Sequence, residues 1–256
     1  MKKNLLLSLL LAGICACGGW PPSTLPTLDE TLAHWGAAGP GHALRMVGEM
    51  ALKLPDSQMA AEHTLVINAE GRFKLEMFGP FEKRLFSMFC DGDNMLAIFY
   101  DENRAFYGAA TPANLARFVG MDLNPPHIFQ VLSAAAPFWL DAGRINQYGK
   151  IQASSNRGEL LLVLATPDAP LQNIVFRQAD YRLLSATLQE DDGRLFEITY
   201  RRWQEDNALP LSLEIAANDG HGLSISNDIV QWVDMPQFKL PTPPPGMELY
   251  LLDSPG

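Results

Sequence analysis

Cysteine is nearly absent from this chain. It has three in 256 residues, Cys15, Cys17 and Cys90. That number excludes a disulfide-rich scaffold, and no His or Cys cluster follows Cys15 and Cys17 at zinc-site spacing. Positive charge is also sparse: 19 Lys and Arg stand against 29 Asp and Glu, a net charge of −10. No basic face is available to track a phosphate backbone, so nucleic acid is not an expected partner. The spacings of common catalysts are missing as well. The five histidines form no H-x-x-x-H or H-E-x-x-H, and there is no G-x-S-x-G, no G-x-x-x-x-G-K-S/T and no strand-led G-x-G-x-x-G. The acid pairs Asp91/Asp93 and Asp191/Asp192 sit beside glycines. Asp bonding its own turn backbone accounts for them there. Neither an enzyme nor a cofactor is expected. His127 reads as a surface or capping residue, and Cys90 as a small buried hydrophobe.

Long apolar runs are missing too. The first, Leu5 to Ile14 behind Lys2 and Lys3, falls short of the roughly 20 residues that cross a bilayer. It has the layout of an export signal. The run ends in Ile14-Cys15-Ala16-Cys17. An aliphatic residue at −3 and a small one at −1 precede Cys17, as in a bacterial lipobox. Cys15 fits poorly, because Ile14 would stand at its −1 position. The expected arrangement is a lipoprotein signal over 1–16, lipidation at Cys17, and a Gly/Pro/Ser-rich tether over 17–27. An ordinary cleaved signal is the other reading. Gly18, rather than Asp, follows Cys17, which favours the outer membrane. The chain would then be lipid-anchored there and face the periplasm, with an anchor that is in effect permanent.

Residues 28–256 read as one mainly β domain. A short helix is expected over Leu28–Ala38. From Ala43 the period turns to two: Leu44, Met46, Met50 and Leu52 oppose Arg45, Glu49 and Lys53, and Phe73, Leu75 and Met77 oppose Arg72, Lys74 and Glu76. Such alternation marks strands with one buried face. "RLFSMFC" and "MLAIFYD" are apolar on both faces, so both sides of those strands are covered. Two helices interrupt the strands. One starts at Thr111-Pro112 and ends at Gly120; the other starts at Asn124 and closes at Pro137. Strands resume over 159–166, 171–178, 183–190, 195–202, 211–216 and 222–232, and the proline-rich tail ends in a candidate edge strand. Ten or eleven antiparallel strands with a few helices suggest one strongly curved sheet with the helices in its mouth. A two-domain division near Gly143 is the alternative. The 10 Met and 13 Phe concentrate in these strands, as an adaptable apolar cavity would require.

"GRFKLEMFGPFEKRLFSMFCDGDNMLAIFYDENRAFYGA" followed by "LARFVGMDLNPPHIFQVLSAAAP" resembles the LolA/LolB lipoprotein-carrier superfamily in its order of strands, turns and paired helices. The lipobox resembles LolB in particular, an outer-membrane lipoprotein. The resemblance covers about Ala43 to Leu240. It implies an incomplete antiparallel β-barrel of about eleven strands with a helical lid. Its apolar cavity would take lipoprotein acyl chains or another apolar ligand, with no covalent chemistry. Carried over by position, Met46, Met50, Leu65, Ile67, Phe73, Leu75, Met77, Phe86, Met88, Leu96 and Ile98 would line the cavity. Phe118, Ile128 and Leu132 would be lid contacts. A periplasmic carrier or another envelope protein is the implied partner. One departure stands out: LolB exposes a leucine on a loop between early strands, and the matching turn here, Asn68–Arg72, has no large apolar residue. A scaffold or assembly protein of the same fold is the alternative function.

Overall fold

The computed structural model describes residues 25–35, 42–54, 57–120, 123–135, 145, 147–154, 156, 158–166, 169–189, 193, 195–205 and 209–253. The expected export signal and Cys17 lie outside them.

Helix α1 (Leu28–His34) begins at a reciprocal cap. The Glu30 N–H donates to Thr27 Oγ1 (3.2 Å), and the Thr27 N–H donates to Glu30 Oε2 (2.7 Å). The described helix ends at Trp35, short of the expected Ala38, and residues 36–41 lie outside the described set. A long hairpin follows, β1 (His42–Leu54) with β2 (Ser57–Asn68). An antiparallel meander then runs through β3 (Phe73–Phe78), β4 (Arg84–Cys90), β5 (Asn94–Phe99) and β6 (Arg104–Ala109). Helices α2 (Pro112–Val119) and α3 (Pro125–Ser133) interrupt the strands. In α2 the Thr111 hydroxyl accepts from the Asn114 N–H (3.2 Å), Pro112 opens the first turn, and Gly120 closes the helix in the left-handed region. α3 stops at Ser133, before Pro137. Ala134 turns left-handed, and the Ser133 hydroxyl bonds back to the Phe129 carbonyl (2.8 Å).

The second meander comprises β7 (Gly149–Ala153), β8 (Glu159–Thr166), β9 (Ala169–Arg177), β10 (Leu183–Gln189), β11 (Leu195–Trp203), β12 (Pro210–Ala217) and β13 (Gly222–Asp234). β13 pairs antiparallel with β1 and joins the two meanders at mid-sheet. β14 (Glu248–Leu251) adds a parallel edge beside β6. The order is β14-β6-β5-β4-β3-β2-β1-β13-β12-β11-β10-β9-β8-β7. The result is a mainly β, unclosed sheet with helices packed against one face, an incomplete barrel with a helical lid. Among the described residues it has fourteen strands rather than about eleven, and strands from both sides of Gly143 share it.

One face is continuous core. Leu44, Met46, Ile67, Met88 and Met95 from the first meander join Leu162, Ile174, Phe176 and Leu213 from the second, all at most 1% exposed. Each such side chain contributes about 1.5–3 kcal/mol of burial. Over β7 and β9 this face is filled by α1 and its cap. Trp35 Nε1 donates to the Tyr181 carbonyl (2.6 Å) and the indole meets Phe176 edge-on, with centroids 4.9 Å apart. The opposite face carries a small second core of Leu96, Ile98 and Ala105. Leu240 and Met247 cover it from the tail that crosses towards β14.

Candidate functional site

Under α2 and α3 the concave face is not filled. An apolar cavity lies there with about 100 Å³ of free space. Its floor is β1–β5 with β12 and β13. α2, α3 and the Leu123 connection form its roof.

Of the sequence-predicted positions, Met50, Leu65, Ile67, Phe73, Leu75, Met77, Phe86 and Met88 stand in the floor, and Phe118, Ile128 and Leu132 in the roof. Met46 is on the same face but sealed in the core, at 0% exposure. Leu96 and Ile98 are corrected: both point to the opposite face, into the cluster under the C-terminal tail. β5 is apolar on both faces, so its alternation carries no sign of direction. The inward side chains of β5 are Met95, Ala97 and Phe99, a shift of one residue. Met59, Leu115, Val119, Ile215, Leu223 and Ile225 also line the space. The last three come from β12 and β13, brought in by pairing with β1 from far along the sequence. Short-range patterning carries no trace of that contact.

An aromatic series runs out of the cavity. Phe86 contacts Phe99 (4.8 Å between centroids), Phe118 lies 6.1 Å from Phe99 and 5.6 Å from Phe106, and Tyr250 stacks on Phe106 at 5.2 Å. Phe99 and Phe118 border both the cavity and an outer groove with Arg117 and Glu102 at its rim.

Polar side chains interrupt the concave face, Gln172 of β9 among them. His63 on β2 and Asn227 on β13 are each 1% exposed. Gly48 of β1 stands between them, in register with both. A Cβ on Gly48 would run into the Ser226 carbonyl oxygen, so only glycine fits this β-bulge. Burial pushes the His63 ring down to about 4, which keeps it neutral at pH 7. The Gly48 backbone and the Asn227 side chain lie near enough to oppose this. Neither makes an aligned hydrogen bond to His63 Nδ1 or Nε2, and both amide atoms of Asn227 are likewise unpaired. Cys90 is buried at the end of β4, and burial pushes its thiol up.

The Asn68–Arg72 turn, which lacks a large apolar residue, serves the roof instead. Gly71 sits so close to Pro125 that a Cβ would meet it at 2.6 Å, so this turn seats the start of α3. The most exposed of the described large apolar side chains is one hairpin later. Phe81, in the β3–β4 turn, is 102% exposed with φ +60°. The turn that presents it is closed by the Gly79 N–H donating to the Lys83 carbonyl (2.8 Å). A phenylalanine inside a Gly-Pro turn flanked by charges was the available sequence signal.

No protein-family model matches the chain, and no curated protein matches it. Solved structures do. A LolA superfamily protein from Nitrosomonas europaea aligns over 84% of this chain and 99% of its own, at 13% identity and TM-score 0.50. An outer membrane lipoprotein-sorting protein domain from Vibrio parahaemolyticus aligns over 80% of this chain and 89% of its own, at 14% identity and TM-score 0.50. The class is thus a helix-lidded, open β-sheet fold. More narrowly, it is the LolA-like fold.

Proposed function

We propose that this chain is an envelope lipoprotein, anchored in the outer membrane through Cys17. It receives acyl chains or a comparable apolar ligand between the sheet and α2/α3, in lipoprotein sorting or envelope biogenesis. The observation that carries the reading is the cavity itself, whose lining is apolar throughout. Ligand pockets usually mix apolar walls with a few polar groups, so a wholly apolar lining favours hydrocarbon. The LolA-like fold and the lipobox at Cys17 support the same reading. Phe81 supports contact with a membrane or an apolar partner surface, because a hydrogen-bonded turn holds it fully in solvent. Binding on this reading involves no covalent chemistry, and the cargo passes to or from a periplasmic carrier or another envelope protein.

The free space of about 100 Å³ is smaller than the roughly 150 Å³ that admits benzene in an engineered cavity. A long chain therefore enters only if α2 and α3 move outward. The same number favours the second reading, a scaffold whose interior is filled by its own side chains. Native mass spectrometry and solvent extraction of the purified mature protein separate the two. Bound acyl lipid, or uptake of an added apolar dye, supports the carrier. A lipid-free protein that excludes the dye and co-purifies with a stable partner supports the scaffold.

A further inference from the structure

The edge of a sheet carries a row of backbone donors and acceptors that no strand meets. Natural proteins blunt such an edge with lysine, proline, a bulge or a covering element. The two ends of this sheet are β7 and β14. β7 follows the rule: α1 packs on it, and exposed Lys150 sits within it. β14 does not. Its four residues, Glu248-Leu249-Tyr250-Leu251, include no lysine or proline, and all four are exposed. Among the described residues no strand pairs with its outer side.

The backbone there has a definite pattern. The Glu248 N–H donates to the Asn103 carbonyl (3.0 Å), and the Leu252 N–H donates to the Tyr107 carbonyl (2.8 Å). Alternate residues of a strand turn their backbone groups to opposite sides. Glu248, Tyr250 and Leu252 therefore face β6, and Leu249 and Leu251 face outward. They offer two N–H groups and two carbonyls to a further strand. Their side chains, 53% and 59% exposed, stand with Tyr107 on the face that carries Ala105 of the outer core. On the other face Tyr250 stacks on Phe106.

The order Leu-Tyr-Leu reads the same in both directions. Consider an antiparallel strand related by a two-fold axis at Tyr250. It sets Leu249 across from Leu251 of the second copy, Leu251 across from Leu249, and Tyr250 across from Tyr250. The outward-facing residues are then the ones that meet, and four backbone hydrogen bonds close within β14. Apolar side chains lie opposite apolar ones. The one charge in the strand, Glu248, falls across from Leu252 and keeps Arg104 of its own β6 beside it. No like charges oppose each other along the seam. Pairing with an unrelated strand would need none of this symmetry.

We propose that β14 is a self-association edge, through which two copies pair antiparallel over Leu249–Leu251 and join their sheets into one. This goes beyond the carrier reading and does not depend on it. A four-residue seam is about 13 Å long, small beside the about 800 Å² per partner of a standard complex. The dimer is therefore weak and depends on concentration.

The test uses residues 17–256 with Cys17→Ala, the whole chain after the expected signal, in which buried Cys90 is the one thiol left. At about 0.15 M salt the Debye length of about 8 Å screens repulsion between two acidic chains. Sedimentation velocity should show monomer giving way to dimer as concentration rises from about 10 µM to about 1 mM. Leu251→Lys, at an exposed position, should weaken the dimer at least about tenfold by setting a charge in the seam. Mild oxidation of variants with one added cysteine reads the register. Cα atoms of a non-hydrogen-bonded antiparallel pair stand about 4.5 Å apart, within disulfide reach. Tyr250→Cys should therefore give a covalent dimer. Leu249→Cys should not, although Leu249 is the more exposed, because its counterpart lies about 7 Å further along the seam. A monomer at every concentration overturns the proposal. So does a dimer that Leu251→Lys leaves unchanged, or cross-linking at 249 that equals or exceeds cross-linking at 250. The concentration series on the parent chain does not depend on how any edge variant folds.

Discussion

The Tyr200 hydroxyl donates to the backbone carbonyl of Val131 at 3.0 Å and so fastens α3 to β11. Tyr200 is only 4% exposed, and burial raises its phenol well above the ordinary value, so it remains a donor at any physiological pH. Val131 lines the cavity, which makes this bond a latch between the sheet and the roof. Tyr200→Phe removes the bond and keeps the ring. The expected loss is about 1 kcal/mol in urea unfolding, together with faster uptake of an apolar dye. Unchanged uptake would show that α3 is not the part that moves.

Phe81 buries nothing, so replacing it leaves stability within about 0.5 kcal/mol. Asparagine tolerates the left-handed backbone of this turn, which makes Phe81→Asn a clean substitution. Association of the anchor-free protein with phospholipid vesicles is expected to fall several-fold, as read by co-sedimentation. Vesicle binding equal to that of the parent protein would remove Phe81 from the membrane contact.

His63 makes stability depend on pH. Its ring titrates near 4 in the fold and near 6.5 when unfolded. Between those values the unfolded chain holds the proton and the native one does not, so stability falls as pH falls. From pH 7 to pH 5 the loss is about 2 kcal/mol. Its neighbours Met77, Leu65, Gly48 and Asn227 carry no charge, and Glu62 and Glu49 project from the opposite, exposed face. Urea unfolding of His63→Leu at both pH values should show a correspondingly smaller difference.

The C-terminal strap covers the outer face. Leu240 and Met247 cap Leu96, Ile98 and Ala105, and the Asp253 carboxylate accepts from the Ala109 N–H (2.6 Å) and Asn114 Nδ2 (2.7 Å). Leu240→Asp sets a charge against this cluster and is expected to cost about 1–2 kcal/mol. Limited proteolysis should then cut the tail faster than in the parent protein.

Cys17→Ala should leave the precursor unprocessed or release the protein from the membrane, as read by fractionation and intact mass. An unchanged membrane fraction with an unchanged mature mass would overturn the anchor.

Strands with one wet face were legible from alternation alone: Phe73, Leu75 and Met77 of β3 point where their spacing says. β5 was not legible in the same way, because Leu96 and Ile98 are as apolar as Met95 and Ala97 and both sets are buried. β7 is short and largely exposed, and the first residues of β2 are exposed on both faces, so neither shows a period-two signal. The half of the floor supplied by Ile215, Leu223 and Ile225 depends on β1 meeting β13, a contact that no local window contains. His63 does fall on the apolar side of its strand's alternation, but only the three-strand register reveals Asn227 opposite it.

That β1–β13 seam also sets the order of events in folding. β1 ends at Leu54, and its second partner spans Gly222–Asp234, so the middle of the sheet cannot knit until that strand, about 170 residues on, has been made. Until then the first meander carries an unsatisfied thirteen-residue edge, a template for pairing with a foreign strand. Long-range closure of this kind is slow. A newly made chain therefore stays open along β1 until Gly222–Asp234 arrives, and shielding that edge in the meantime falls to whatever accompanies it.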